Sequence, residues 1–159
     1  MDALPAISMP GVLVREIRRF DDERGWLSET FRHDELPPEL HPAMSYVSMT
    51  LPGVTRGPHE HVDQADLFGF IGPSTFRVFL WDNRAASPAY GREAVFDAGE
   101  SRRLLVVVPA GVVHAYKNVG DREGIVLNFP NRLYRGWNRK DPIDEIRHED
   151  DPDTRFRVR

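Results

Sequence analysis

The chain contains no cysteine, which excludes disulfides, thiolate nucleophiles and sulfur-ligated metals and leaves His and carboxylate as the donors for any metal site. Lysine is nearly absent: among 21 basic residues only Lys117 and Lys140 are lysines. The resulting arginine bias suits planar anions such as carboxylates and phosphates, and a high-GC coding bias explains it equally well. With 25 acidic residues the net charge is −4 and the pI near 5.9, so the basic footprint of a nucleic-acid-binding protein is missing. No uninterrupted aliphatic run exceeds the five residues Leu104–Val108, far short of the roughly 20 that a membrane-spanning helix needs. The stretch Met1-Asp2-Ala3-Leu4-Pro5 has neither a charged leader nor an apolar segment, so the expected location is the cytoplasm, with no membrane partner.

What the chain does have is length for one core and a rhythm of short strands. Its 159 residues suffice for a single domain that buries well over half of its unfolded surface. Apolar or alternating runs are separated by Gly, Pro, Asn and Asp, and they predict strands over Val12–Ile17, Trp26–Phe31, Met44–Met49, Asp66–Ile71, Thr75–Trp81, Arg92–Phe96, Arg103–Val108, His114–Asn118 and Gly124–Phe129. So many short strands at close spacing indicate an all-β sandwich or barrel. The helical candidate, Asp34–Leu40, is limited to about a turn by Pro37-Pro38. Residues 138–159 are dense in charges of both signs, a C-terminal extension that is either a solvated tail or a cover for a barrel edge or second subunit.

Two segments carry the chemistry. Gly53-Val54-Thr55-Arg56-Gly57-Pro58-His59-Glu60-His61 is followed by Asp66, and Pro109-Ala110-Gly111-Val112-Val113-His114 runs on to Asn118. His59 and His61 are two apart, so on an extended strand both imidazoles face one side. His33, His41 and His148 stand alone and read as hydrogen-bonded structural residues. The paired segments resemble the two motifs of the cupin superfamily, a jelly-roll or double-stranded β-helix fold.

Upstream, Phe20-Asp21-Asp22-Glu23-Arg24-Gly25-Trp26-Leu27-Ser28-Glu29-Thr30-Phe31, with Arg56-Gly57-Pro58-His59 and Ser87-Pro88-Ala89-Tyr90-Gly91, resembles one branch of the cupins, the dTDP-4-dehydrorhamnose 3,5-epimerases. The resemblance covers about Gly11 to Pro142. It implies a nucleotide-sugar substrate, an isomerase that needs no cofactor, and a homodimer in which Arg24 reaches the neighbouring site. It gives His59 the role of base at the carbon next to a C4 ketone, a task that suits an imidazole. Arg56 and Arg24 would clamp the diphosphate and Glu29 would contact the nucleotide base. His114 and Asn128 would line the sugar, with His61 and Tyr134 beside the reacting carbons.

Three positions depart from that family. If Tyr134 matches the family's substrate-packing Tyr, Asn128 stands where the acid Tyr belongs. The enolate-stabilising Lys falls near Asp66, and the carboxylate partner of the base has no clear counterpart, His148, Glu149 and Asp150 being poor substitutes. These departures leave other readings open. His59 and His61 resemble the His-x-His pair of dTDP-sugar 3,4-ketoisomerases, with Tyr46 or Tyr134 assisting. Alternatively His59, His61, Asp66 and His114 hold a divalent transition metal, or the chain is a non-catalytic nucleotide-sugar binding module.

Overall fold

The computed structural model describes residues 4–159, so the first three residues of the N-terminal stretch read above lie outside it. The strands, in chain order, are β1 (Leu13–Glu16), β2 (Phe20–Asp22), β3 (Gly25–Leu27), β4 (Tyr46–Thr50), β5 (Thr55–Glu60), β6 (Asp66–Gly72), β7 (Thr75–Asp82), β8 (Glu93–Gly99), β9 (Leu104–Val108), β10 (Val112–Asn118), β11 (Gly124–Asn128) and β12 (Ile146–Arg147). They form two five-stranded sheets, ordered β1-β9-β6-β11-β4 and β12-β5-β10-β7-β8, and a separate β2-β3 hairpin. All pairings are antiparallel. This is the all-β, cupin-type jelly roll that the motifs imply. Among the described residues no helix is long and apolar enough to cross a membrane.

The central strands β6, β9 and β10 are buried on both faces, which explains why β9 reads as a continuous apolar run rather than an alternating one. From β9, Leu104, Val106 and Val108 point between the sheets and meet Phe70, Phe76 and Leu80, while Leu105 and Val107 face outward under Ile17, Leu36 and Phe31. From β10, Val112 and Tyr116 point inward, while Val113 and Ala115 lie outward with Phe79 and Trp81 under Phe156. The C-terminal segment therefore takes the second of its two expected places. It adds β12 to the edge of β5, with Ile146 opposite Glu60 and Arg147 opposite His59, and plugs the outer face with Phe156.

One sequence expectation needs correction. The strand expected over Trp26–Phe31 ends at Leu27, because the following residues serve side-chain contacts: Thr30 offers its carbonyl to Arg15 and Phe31 turns into the outer cluster. The segment Asp34–Leu40 resolves into two 3₁₀ turns, His33–Glu35 and Pro38–Leu40, consistent with the proline limit.

The β5–β10 pair carries the irregularity that shapes the site. His114 lies opposite His59 but Tyr116 lies opposite Arg56, so β5 holds one extra residue between the two pairs, a β-bulge. Gly57 is what makes it possible. Its φ is +83°, and a Cβ there would fall 2.5 Å from the His114 carbonyl oxygen. Without the extra residue Arg56 and His59, three apart, would face opposite sides. Gly57→Ala is expected to lower stability by roughly 1–3 kcal/mol, read as a fall in the urea midpoint; an unchanged midpoint would show that the bulge tolerates a side chain.

Candidate active site

The open end of the barrel forms a cleft of ≈ 1530 Å³ whose lining includes Tyr46, Arg56, His59, His61, Tyr116 and Tyr134. Beneath it lies Asp66, the first residue of β6, 1 % exposed. Its Oδ1 accepts hydrogen bonds from Gln64 Nε2 at 3.0 Å and from Asn128 Nδ2 at 2.9 Å. Its Oδ2 lies 3.0 Å from His61 Nε2 and 3.3 Å from His114 Nε2. Burial opposes this charge, yet the two imidazoles hold the carboxyl far below the usual range.

The three histidines come together as the paired motifs require, with ring nitrogens within 4.8 Å of one another. Their surroundings differ. Burial, reinforced by repulsion from His114 and His61, drives His59 down to about 2, so it is neutral at ordinary pH. Burial also acts against charge on His61, but Asp66 and the Asp144 carbonyl overcome it and push the group up to about 9. His114 Nδ1 donates to the Val112 carbonyl at 3.1 Å.

His59 also has a carboxylate partner that sequence reading did not find. Glu145 Oε1 and Glu149 Oε1 each lie 3.7 Å from His59 Nδ1, brought there by β12 and the turn after it. That nitrogen is buried while the ring lines the cleft, which leaves Nε2 for a ligand. Glu149, judged a poor substitute from sequence, thus lies near the His59 ring, beyond hydrogen-bond distance. Pairing of the two-residue β12 with β5 was the missing information, and two residues, Ile146 and Arg147, are too few to give a strand signal.

Asn128 presents a second unforeseen partner. It lies directly opposite Tyr46 in the β4–β11 ladder, and its Nδ2 donates to the Tyr46 hydroxyl at 2.7 Å. Burial and the nearby Asp66 raise the Tyr46 phenol well above its usual value. The phenol stays protonated, and because its oxygen accepts from Asn128 its own hydrogen is free for a ligand. The cross-strand neighbour therefore supplies a hydroxyl where Asn128 has none.

Arg56 extends along the cleft wall, donating to Thr50 Oγ1 at 2.9 Å and to the Met49 carbonyl at 2.8 Å. Tyr134 stands at the rim, half exposed. Arg24 and Glu29 do not reach the cleft: Arg24, with its side chain 84 % exposed, pairs with Asp22, and Glu29 lies near Arg32. Of the histidines read as structural, His41 bonds the His33 and Leu36 carbonyls, His148 bonds Glu60, and the His33 ring stacks on His41.

A family model described as dTDP-4-dehydrorhamnose 3,5-epimerase matches residues 6–146. The chain belongs to this epimerase family. Among its relatives, a probable low-salt glycan biosynthesis epimerase, Agl13 of Haloferax volcanii, is 36 % identical over 135 residues, 84 % of each chain. The spore coat polysaccharide biosynthesis protein SpsL of Bacillus subtilis is 32 % identical over 124 residues, 78 % of this chain and 81 % of that one. The crystal structure of a dTDP sugar isomerase from Desulfovibrio desulfuricans superposes with a TM-score of 0.79 at 25 % identity, covering 92 % of this chain and 90 % of the other. Sugar epimerisation is thus the family's chemistry.

Asp144 ties the C-terminal segment to this site. Its carboxylate accepts from the backbone N–H groups of Val62, Asp63 and Gln64 at 2.8, 3.0 and 2.8 Å, and its carbonyl accepts from His61 Nδ1. Asp144→Ala is expected to cost roughly 2 kcal/mol, the scale of a lost charged hydrogen bond, and to speed amide exchange in residues 62–64 and 144–149. Exchange confined to position 144 itself would refute this anchoring role.

Proposed function

We propose that this chain epimerises a nucleotide-linked 4-keto-6-deoxyhexose by removing the proton next to the ketone. The observation that carries the reading is His59: neutral, lining the cleft, and backed at Nδ1 by the Glu145 and Glu149 carboxylates. Nε2 takes the acidic proton, and the carboxylates stabilise the imidazolium that results. Tyr46 returns a proton from its free hydroxyl, with Asn128 fixing the phenol in place. Arg56 receives the diphosphate through charge-assisted hydrogen bonds. The nucleotide-sugar assignment draws on the family and on the length of a cleft that runs from His59 to the rim at Tyr134.

The working unit in this proposal is a homodimer. The β2–β3 hairpin stands apart from both sheets, exposes Phe20, Trp26 and Leu27, and carries Arg24 at its tip, a disposition that suits contact with a second copy.

Using dTDP-4-keto-6-deoxyglucose and chromatographic analysis of the product, His59→Asn is expected to lower conversion by roughly 10²- to 10⁴-fold. Tyr46→Phe is expected to reduce kcat with little change in KM, since it removes a proton and leaves the ring. Full activity in either variant would remove that residue from the mechanism. Arg56→Ala is expected to raise the Kd for dTDP by about tenfold or more, the scale of one lost charged hydrogen bond; an unaltered Kd by calorimetry would refute the clamp.

A further inference from the structure

We propose that Ser48 and Tyr116 form a subsite in the middle of the cleft that reads the C2 hydroxyl of the substrate's sugar. The inference deepens the proposed epimerase reading, which supplies the name of the carbon; the polar pair itself stands on geometry.

Register places the pair between the two ends of the reaction. Residues two apart on a strand share a face, so β4 turns Tyr46, Ser48 and Thr50 inward while Val47 and Met49 are exposed on the other side. Tyr46 is the proposed acid, and Thr50 Oγ1 holds the Arg56 guanidinium. Ser48 therefore stands midway, roughly 7 Å of strand from each. The facing sheet has the same order. There His114 lies opposite His59 and Tyr116 opposite Arg56, and the Tyr116 hydroxyl meets Ser48 Oγ at 3.2 Å. Both residues line the cleft. Electrostatics agree with this placement: burial raises the Tyr116 phenol above its usual value, while Ser48 and Arg56 pull it down and Asp66 adds to the rise. The hydroxyl thus feels both the diphosphate end and the floor beneath the histidines.

Packing alone does not account for a phenol here. The Tyr116 ring is enclosed by Phe68, Phe70 and Phe76 at centroid distances of 5.7, 5.5 and 5.6 Å, all edge to face, a setting that a phenylalanine would fill as well. A hydroxyl in such surroundings costs free energy unless it is hydrogen-bonded. One bond of 3.2 Å, long for two hydroxyls, meets only part of its capacity. Among the described residues the two hydroxyls bond only each other. Each carries one hydrogen and two lone pairs, so after one hydrogen joins the pair a second hydrogen and several lone pairs are left for a ligand.

That inventory matches a hydroxyl group. A ring oxygen or a carbonyl can only accept, whereas a sugar hydroxyl accepts the free hydrogen and donates to a lone pair. In a hexose with diphosphate on C1 and a ketone at C4, the carbon that joins the diphosphate end to the acidic C3 is C2. Diphosphate at Arg56 and C3 at His59 bring the C2 substituent to the stretch of cleft where Ser48 and Tyr116 lie. A sugar lacking that hydroxyl covers the pair and leaves it unsatisfied, which is how a buried polar site discriminates.

Paired substrates test the subsite. Between dTDP-4-keto-6-deoxyglucose and its 2-deoxy counterpart, the unaltered protein is expected to favour the 2-hydroxy sugar by about tenfold or more in kcat/KM, the scale of one unsatisfied buried hydroxyl. Tyr116→Phe, which keeps the ring and its packing, and Ser48→Ala are each expected to bring that ratio toward one. No preference in the unaltered protein, or a preference that survives both substitutions, would overturn the subsite. Calorimetry with dTDP-glucose and dTDP-2-deoxyglucose gives a readout that needs no turnover, and the same collapse of the Kd ratio is expected there. A Kd ratio that collapses in a protein converting neither keto sugar would uphold the subsite and refute the epimerase reading. Conversion of both keto sugars with equal kcat/KM would refute the subsite and leave that reading intact.

Discussion

The site is organised around one constraint, the burial of the Asp66 carboxylate. A charge taken out of water must be paired or fully hydrogen-bonded, and each way of satisfying this one fixes another functional residue. Gln64 and Asn128 are drawn to Oδ1, His61 and His114 to Oδ2. Through Asn128 the constraint reaches β4, where it holds the Tyr46 hydroxyl. Through His61 it reaches Asp144, and with it the segment that brings Glu145 and Glu149 to His59. A single buried oxygen pair thereby links β5, β6, β10, β11 and the C-terminus.

The barrel makes this possible by geometry rather than by added stability. The bulge at Gly57 puts Arg56 on the same face as His59, so the residue that would meet the diphosphate and the residue that would take the proton share one wall. The two sheets are covered on their outer faces by the segments around Phe31 and Phe156. A site built on strands packed in this way holds its side chains more closely than one built on loops.

Much of this was legible in the chain. The spacing of His59 and His61, the Pro109–Asn118 segment and the run of short strands all led to the right barrel and to the right cluster of histidines. The misses share a cause, since each depends on which strand lies next to which. That Tyr46 stands across from Asn128, that β12 pairs with β5, and that β5 has an extra residue at Gly57 are facts of register between distant segments. Local periodicity contains none of them. The strand expected to run on to Phe31 failed for the opposite reason: its apolar pattern was real, but the burial it signalled is a loop packed on β9, not a ladder.

In the proposed mechanism His59 is the base, Tyr46 supplies a phenol from the strand next to Asn128, and Glu145 and Glu149 stand behind the base at a short edge strand. The central claim is that this site removes a proton next to a ketone. Its most direct test is to incubate the unaltered protein with dTDP-4-keto-6-deoxyglucose in D₂O and follow the carbons flanking the ketone by proton NMR. The account predicts deuterium at C3, C5 or both, at a rate proportional to enzyme concentration. Substrate recovered with no deuterium at either carbon would contradict it.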